Sequence, residues 1–136
     1  ESKTDSDYPF AMISRRLPRS HNTWTQNSRR LVKGKDPCTL QINPEDAKQL
    51  GLEGGQIAQV SSPVGEVCLP VELNDDMFAG VVSMPQGWGH NRPDTAMSIA
   101  QTQPGVSMND VTDSQRVDEL TGNAAFNGTR VAVAAA

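Results

Sequence analysis

Short runs of apolar or alternating apolar and polar residues, bounded by glycine, proline and asparagine, recur along this 136-residue chain. Alternation with a period of two is typical of β-strands that bury one face, and turn residues end such strands. We therefore predict strands at residues 10–13, 38–42, 56–61, 65–73, 80–84 and 129–133. About six or seven short strands with one or two small helices indicate a mainly β (α+β) domain whose strands close into a barrel.

A short helix is predicted at residues 45–50. Asn43 is a suitable N-cap, and Pro44 then occupies the first helical position, where its missing N–H costs nothing. Glu45 and Asp46 fall in the first turn, where the helix dipole favours negative charge. Gly51 can adopt the left-handed conformation that ends a helix. The sequence thus predicts a compact strand–helix–hairpin unit.

Composition limits the classes of function. The chain is long enough for one domain with a buried core, and we assign residues 8–134 to that domain and residues 1–7 to a disordered N-terminal tail. The formal net charge of -4 argues against nucleic acid as a partner of the whole domain. No apolar run reaches the roughly 18 residues of a membrane-spanning helix. We expect a cytoplasmic protein, with the periplasm as an open alternative, and a monomer when the domain is isolated.

Positive charge is concentrated in residues 14–35, which we name the first loop. This segment contains no acidic residue and seven of the chain's 12 basic residues: Arg15, Arg16, Arg19, Arg29, Arg30, Lys33 and Lys35. Long loops inside compact domains are unusual unless they are functional. A cationic loop on an acidic domain favours a small anionic ligand over a nucleic-acid duplex.

The first loop also contains side chains suited to planar, polar ligands. Arg15 and Arg16 present guanidinium forks that match phosphate and carbonyl oxygens. Asn22 and Asn27 present donors and acceptors together, which suits the edge of a pterin or purine ring. For any one of these residues a solvated surface position is the simpler interpretation, but the density of the mixture favours ligand binding.

Residues 86–91 form a second candidate segment, the tryptophan loop. Two glycines flank Trp88, which permits close backbone approach and displays a large ring; alternatively, Trp88 closes one end of the barrel. His90 on its own is more often a surface histidine than a catalytic one. Farther along, residues 108–113 form a polar turn that Asx-turn formation and helix capping also explain.

No complete catalytic constellation is present. The sequence has no Gly-x-Ser-x-Gly, no phosphate loop and no dinucleotide fingerprint of the hydride-transfer kind. Cys38 and Cys68 lie among apolar strand residues, so we predict two reduced, buried thiols rather than a disulfide. Two cysteines and the distant His21 and His90 do not supply the converging ligands of a metal site. The residues indicate a binding domain rather than a complete active site.

Four motifs carry a resemblance to a known family. They are Ser14-Arg15-Arg16 with His21-Asn22-Thr23-Trp24; Ile42-Asn43-Pro44-Glu45-Asp46-Ala47 with Leu50-Gly51 and Gly54-Gly55; Gly80-Val81-Val82 with Gly87-Trp88-Gly89-His90; and Asn109-Asp110-Val111-Thr112 with Asp118, Thr121-Gly122-Asn123 and Phe126. Each motif is weak alone, but the four occur in order over nearly the whole chain. The chain resembles the C-terminal molybdopterin-guanine-dinucleotide-binding domain of the bis-pterin molybdenum and tungsten oxidoreductases, which include formate dehydrogenases, nitrate reductases and dimethyl-sulfoxide reductase.

This resemblance implies a double-psi β-barrel, as in aspartate decarboxylase, and molybdopterin guanine dinucleotide as the cofactor. It implies cofactor contacts from one face of the barrel by Arg15, Arg16, His21, Asn22, Trp24, Asn27, Trp88, His90, Asn109 and Asp110. The residue that ligates molybdenum or tungsten in this family lies in another domain, so the implied partners are the other domains of a larger oxidoreductase. The resemblance implies a formate-dehydrogenase-like or nitrate-reductase-like parent enzyme, and the first loop is most similar to the formate-dehydrogenase-like branch. We do not expect the isolated chain to be catalytic.

A double-psi barrel is also compatible with two other functions. A stand-alone double-psi barrel can serve as a protein-interaction or substrate-recognition module, but that role would leave the polar first loop unexplained. An enzyme like aspartate decarboxylase needs a Gly-Ser self-cleavage site, and the chain contains no Gly-Ser dipeptide.

Overall fold

A computed structural model describes residues 7–136. In chain order its elements are β1 (Phe10–Arg15), β2 (Leu40–Ile42), α1 (Pro44–Gln49), β3 (Ile57–Ser62), β4 (Gly65–Leu73), β5 (Val81–Pro85) and β6 (Thr129–Ala135), with 3-10 helices at Ala100–Thr102 and Met108–Val111. The six predicted strands are confirmed, and their ends differ from the prediction by no more than one or two residues. Residues 1–6, which make up most of the predicted tail, lie outside the described residues.

Helix α1 begins and ends close to where the local sequence predicts. The Asn43 side chain accepts a hydrogen bond from the backbone N–H of Glu45 at 2.9 Å, and Pro44 opens the helix. Gly51 follows the helix with a φ of 68°, in the left-handed region. Asp46 is buried, and its carboxylate accepts a hydrogen bond from the backbone N–H of Gly80 at 2.7 Å. Asp46 therefore ties α1 to the turn before β5, in addition to its place in the helix dipole.

The six strands form one closed barrel in the order β1-β5-β2-β4-β3-β6. Two neighbouring pairs are parallel, β1 with β5 and β2 with β4. The other pairs are antiparallel. Parallel neighbours need crossover connections, so long segments must pass over the barrel ends. This interleaved, mainly β topology confirms the predicted double-psi β-barrel.

One end of the barrel, which we name the loop end, gathers segments that are distant in sequence. In the parallel β1–β5 pair, Arg15 lies opposite Pro85, so the first loop and the tryptophan loop leave the barrel side by side. Strand β2 runs antiparallel to β5 and begins at this end, where the first loop returns. The segment before β6 reaches it as well, because the Asn127 side chain accepts a hydrogen bond from the backbone N–H of Ser14 at 2.8 Å.

The barrel interior is filled by the inward-facing aliphatic side chains of the strands. The largest of the fully buried ones on the strands are Met12, Leu40, Ile42, Leu69, Met84, Val60, Val82 and Val131. Burying each such side chain contributes about 1.5–3 kcal/mol relative to leaving it in water. The packed interior gives the loops at the loop end fixed points of attachment.

The two cysteines lie in different environments. Cys38 is buried, with 2% of its surface exposed, and its Sγ accepts a hydrogen bond from the backbone N–H of Val106 at 3.4 Å. Cys68 is exposed, so the prediction that both thiols are buried is wrong for Cys68. The reason is the strand period: Val67 and Leu69 point into the core, and the residue between them points outwards. Both thiols are free.

We expect a thiol reagent to label Cys68 rapidly and Cys38 slowly in the native protein. Burial raises the pKa of Cys38 to about 11, although the hydrogen bond from Val106 opposes this. The reactive thiolate is therefore scarce at neutral pH. Mass spectrometry after brief exposure to a maleimide measures both sites, with Cys68→Ser as the control. Fast labelling of folded Cys68→Ser would contradict the burial of Cys38.

Candidate functional site

The first loop and the tryptophan loop are in direct backbone contact at the loop end. His21 and Asn22 have positive φ angles of 40° and 63°, which are uncommon for residues other than glycine. The turn that they form brings the Asn22 carbonyl against Gly87, where a Cβ would lie 2.0 Å from the Asn22 oxygen. Glycine is therefore required at position 87 by contact between the two loops, and not only to display Trp88.

A buried pair of side chains connects the same two loops. Gln26 and His90 are only 3% and 7% exposed. His90 Nε2 hydrogen-bonds Gln26 Oε1 and also, at 3.0 Å, the carbonyl oxygen of Gly87. The amide nitrogen of Gln26 donates to the carbonyl of Asn22 at 3.3 Å. Sequence reasoning did not single out Gln26, because a glutamine in a polar loop gives no signal until its partner is known.

Arg15 is engaged within the barrel wall. Its guanidinium donates to the carbonyl oxygens of Ser83 at 2.7 Å, Thr39 at 2.8 Å and Pro37 at 3.2 Å. It also donates to the Thr39 hydroxyl at 2.7 Å. The side chain is 16% exposed and lies 3.9 Å from the Glu72 carboxylate. Burial lowers the pKa of Arg15, and the negative charge of Glu72 opposes this effect. The guanidinium nevertheless remains charged. Arg15 thus holds β1, β5 and the start of β2 together where the first loop begins.

Glu72 on β4 completes this network. The Thr39 hydroxyl donates to its carboxylate and lowers the pKa of Glu72; burial opposes the effect, and Gln41 and Arg15 reinforce it. A carboxylate whose pKa is lowered by folding stabilises the fold above its unfolded pKa. That contribution is lost as the pH falls through the lowered, folded value. The charged network around Arg15 is therefore complete at neutral pH.

Two more candidates have structural partners. The Asn27 side-chain oxygen accepts hydrogen bonds from the backbone N–H groups of Ile99 at 2.9 Å and Ala100 at 3.2 Å. Asn27 thereby attaches the first loop to the start of the 3-10 helix Ala100–Thr102. Asp110 forms an ion pair with Arg92 at the protein surface. Both contacts hold loop segments to one another.

Trp88 is buried and lines a cavity of about 470 Å³ beneath the first loop. Its indole N–H is buried and has no hydrogen-bond partner within residues 7–136. A buried donor without a partner is unfavourable by about 1–3 kcal/mol. Three cations, Arg19, Lys33 and Lys35, line the same cavity, and none of the described lining residues is acidic. The donor set at this place fits a group that carries negative charge and hydrogen-bond acceptors.

The remaining five candidates are exposed: Arg16, His21, Asn22, Trp24 and Asn109. No hydrogen bond or ion pair among the described residues occupies the side chains of Arg16, Asn22 or Asn109. The indole of Trp24 is 82% exposed, and the His21 ring meets it edge-on, with centroids 5.7 Å apart and an interplanar angle of 71°. These side chains offer a guanidinium, two amides and an aromatic surface to a ligand.

The turn that carries Asn109 adjoins the tryptophan loop. The backbone N–H of Gly89 donates to the carbonyl of Pro104 at 2.7 Å, and a Cβ on Gly89 would lie 2.7 Å from the Cβ of Ser107. Ser107 in turn caps the 3-10 helix Met108–Val111. Contacts therefore join the first loop to the tryptophan loop, and the tryptophan loop to the turn that carries Asn109. The convergence of their exposed side chains on a single ligand stays a prediction.

Residues 7–136 contain no helix that is both long enough and apolar enough to cross a membrane. They also contain no group of three or more His, Cys, Asp or Glu side chains placed to hold a metal ion.

Known proteins resemble this chain over most of its length. A family model described as the molydopterin dinucleotide binding domain matches residues 10–130. The F420-dependent formate dehydrogenase subunit alpha of Methanocaldococcus jannaschii is 33% identical over 98 residues, which cover 71% of this chain and 15% of that protein. The arsenate respiratory reductase subunit ArrA of Chrysiogenes arsenatis is 30% identical, covering 90% of this chain and 16% of that protein. The chain thus spans less than a fifth of the length of either relative.

A solved structure shares the fold. Acetylene hydratase from Pelobacter acetylenicus superposes with a TM-score of 0.80 over 97% of this chain and 19% of that protein, at 18% sequence identity.

Proposed function

We propose that the loop end holds molybdopterin guanine dinucleotide within a larger molybdenum or tungsten oxidoreductase, because this chain belongs to the molydopterin dinucleotide-binding domain family. Binding of a molybdopterin dinucleotide is the role of this family, and the relatives support a place for the domain within a larger oxidoreductase subunit. The placement of the cofactor at the loop end is supported by one observation above all. The first loop and the tryptophan loop leave parallel strands side by side and are joined by the Asn22–Gly87 contact.

The ten candidate residues divide into two roles under this proposal. Five exposed residues whose side chains make no hydrogen bond or ion pair with the described residues contact the cofactor: Arg16, His21, Asn22, Trp24 and Asn109. Arg16 suits a phosphate or a polarised carbonyl, the asparagines suit a ring edge, and the exposed indole suits a ring face. The other five hold the loops in place or lie beneath them: Arg15, Asn27, Trp88, His90 and Asp110.

The chemistry of the parent protein belongs to the cofactor and its metal, which supply the redox step when bound. The residues of this chain bind and orient the cofactor, and the metal ligand is expected from another domain of the same subunit. We assign the parent to the formate-dehydrogenase-like oxidoreductases, supported by the first loop and by the identity to the alpha subunit above. Cytoplasmic location and a monomeric isolated domain stay predictions.

We expect Arg16→Ala in the full-length subunit to lower cofactor retention by roughly tenfold or more. A hydrogen bond to a charged group contributes about 1.5–3 kcal/mol, and about 1.4 kcal/mol corresponds to a factor of ten. Metal content and acid-released guanine nucleotide per subunit, measured after gel filtration, report the retention. Arg29→Ala is the matched control, because Arg29 is an exposed cation of the same loop outside the candidate set. Equal retention in Arg16→Ala and the wild type would remove the first loop from the binding site.

A further inference from the structure

We propose that Gln26 and His90 are positioning residues, a buried pair that holds the His21–Asn22 turn in the shape required for cofactor binding. The inference rests on the proposed function and deepens it, since it assigns to His90 a role behind the binding surface instead of a cofactor contact. Neither side chain is exposed enough to form part of that surface, at 3% and 7%.

The hydrogen bonds of this pair assign a hydrogen to His90 Nε2 and an orientation to the Gln26 amide. The carbonyl oxygen of Gly87 can only accept, so His90 Nε2, 3.0 Å away, must carry a hydrogen. The same N–H also donates to Gln26, which must therefore present its amide oxygen, Oε1, as the acceptor. The amide nitrogen of Gln26 is then directed to the carbonyl of Asn22, which also can only accept. A ring that carries a hydrogen on Nε2, shared between the oxygens of Gly87 and Gln26, satisfies all three contacts.

The turn held by this pair is strained on its own. His21 and Asn22 both adopt positive φ, a conformation that is uncommon for residues with a Cβ. Strained backbone persists only where the surroundings hold it. The Gln26 amide engages the Asn22 carbonyl from within the first loop, and His90 fixes Gln26 from the tryptophan loop. The pair thus stabilises the conformation in which both residues have positive φ.

The direction of the exposed side chains depends on this turn. His21, Asn22 and Trp24 lie within or next to it, and all three are exposed. With the pair broken, the turn can relax to negative φ, which swings the side chains of His21 and Asn22 away from their present directions. The expected consequence is weaker cofactor retention without loss of the barrel, because the pair lies outside the core strands.

The test uses the full-length subunit with its cofactor. We expect His90→Leu and Gln26→Leu to release the cofactor at least tenfold faster than the wild type, at a temperature where every variant is folded. His90→Gln keeps an N–H donor near the position of Nε2 and should restore most of the retention. If the pair served only to stabilise the fold, the substitutions would lower the unfolding temperature and the cofactor retention together. In that case His90→Gln would not separate the two readouts. Metal and guanine nucleotide content over time, with the unfolding temperature of the cofactor-free subunit, give both readouts.

The control is Gln59→Leu, which removes a glutamine hydrogen-bonded to Glu66 on the neighbouring strand and leaves the loop end intact. It should retain cofactor as the wild type does. Wild-type retention in His90→Leu, or equal loss in His90→Leu and His90→Gln, would overturn the positioning role while leaving the proposed function in place. A wild-type subunit that binds no cofactor would overturn both.

Discussion

Replacing Gly87 with alanine is expected to destabilise the domain by about 2–5 kcal/mol. Gly87 has a φ of 84°, and a left-handed conformation costs a residue with a Cβ roughly 1–2 kcal/mol. The new Cβ would also lie 2.0 Å from the backbone oxygen of Asn22, so the two loops must move apart. Overpacking of this kind adds about 1–3 kcal/mol. Urea unfolding of this chain, followed by circular dichroism, measures the change in unfolding free energy.

Two glycines of the same chain separate these two contributions. Gly55 has a φ of 86° with nothing within 4 Å of a Cβ, so Gly55→Ala should show the conformational part alone. Gly65 lacks the positive φ, but its Cβ would lie 2.2 Å from the carbonyl oxygen of Asp110, so Gly65→Ala should show the steric part alone. If Gly87→Ala destabilises no more than Gly55→Ala does, the close contact between the first loop and the tryptophan loop is wrong.

Replacing Arg15 with methionine should destabilise the domain by about 3–5 kcal/mol. Methionine keeps an apolar stem but leaves the carbonyl oxygens of Ser83 and Thr39 without their charged donor, and removing one partner from a buried polar network has effects of this size. Arg15→Lys should fall between the wild type and Arg15→Met, because an ammonium cannot reproduce a fork that spans three strands. Thermal or urea unfolding measures the series.

The neighbouring arginine provides the matched control. Arg16 is exposed, and Arg16→Met should change the unfolding free energy by no more than about 0.5 kcal/mol. The two arginines are therefore expected to affect the cofactor by different routes: Arg15 through the barrel wall and Arg16 through direct contact. Equal unfolding free energies for Arg15→Met and the wild type would contradict the network around Arg15.

The strands and the small helix could be predicted because their signals are local. Alternation of apolar residues marks β4, and a capping asparagine, a proline and a glycine mark α1. The same signals misplaced strand ends by a residue or two, since the last pairs of a ladder depend on the partner strand. For Cys68 the period of the strand, and not the apolar character of its neighbours, determines which face of β4 the side chain occupies.

The candidate site could be predicted only in part, because a loop residue reveals its chemistry but not its partners. Arg15 and Arg16 are adjacent and identical in type, yet one is held by the barrel wall and the other is exposed. Gln26 gave no signal at all, and its pairing with His90 crosses two segments that no local pattern connects.

By itself the sequence determined the strand and helix pattern, the cationic first loop and the family resemblance, because these depend on the order of residues along the chain. Only the tertiary structure decided which of the ten candidate side chains are free to meet a ligand. Barrel closure places Arg15 opposite Pro85 and sets Asn22 against Gly87. Contacts across such sequence distances depend on strand register and loop packing, which no single segment encodes.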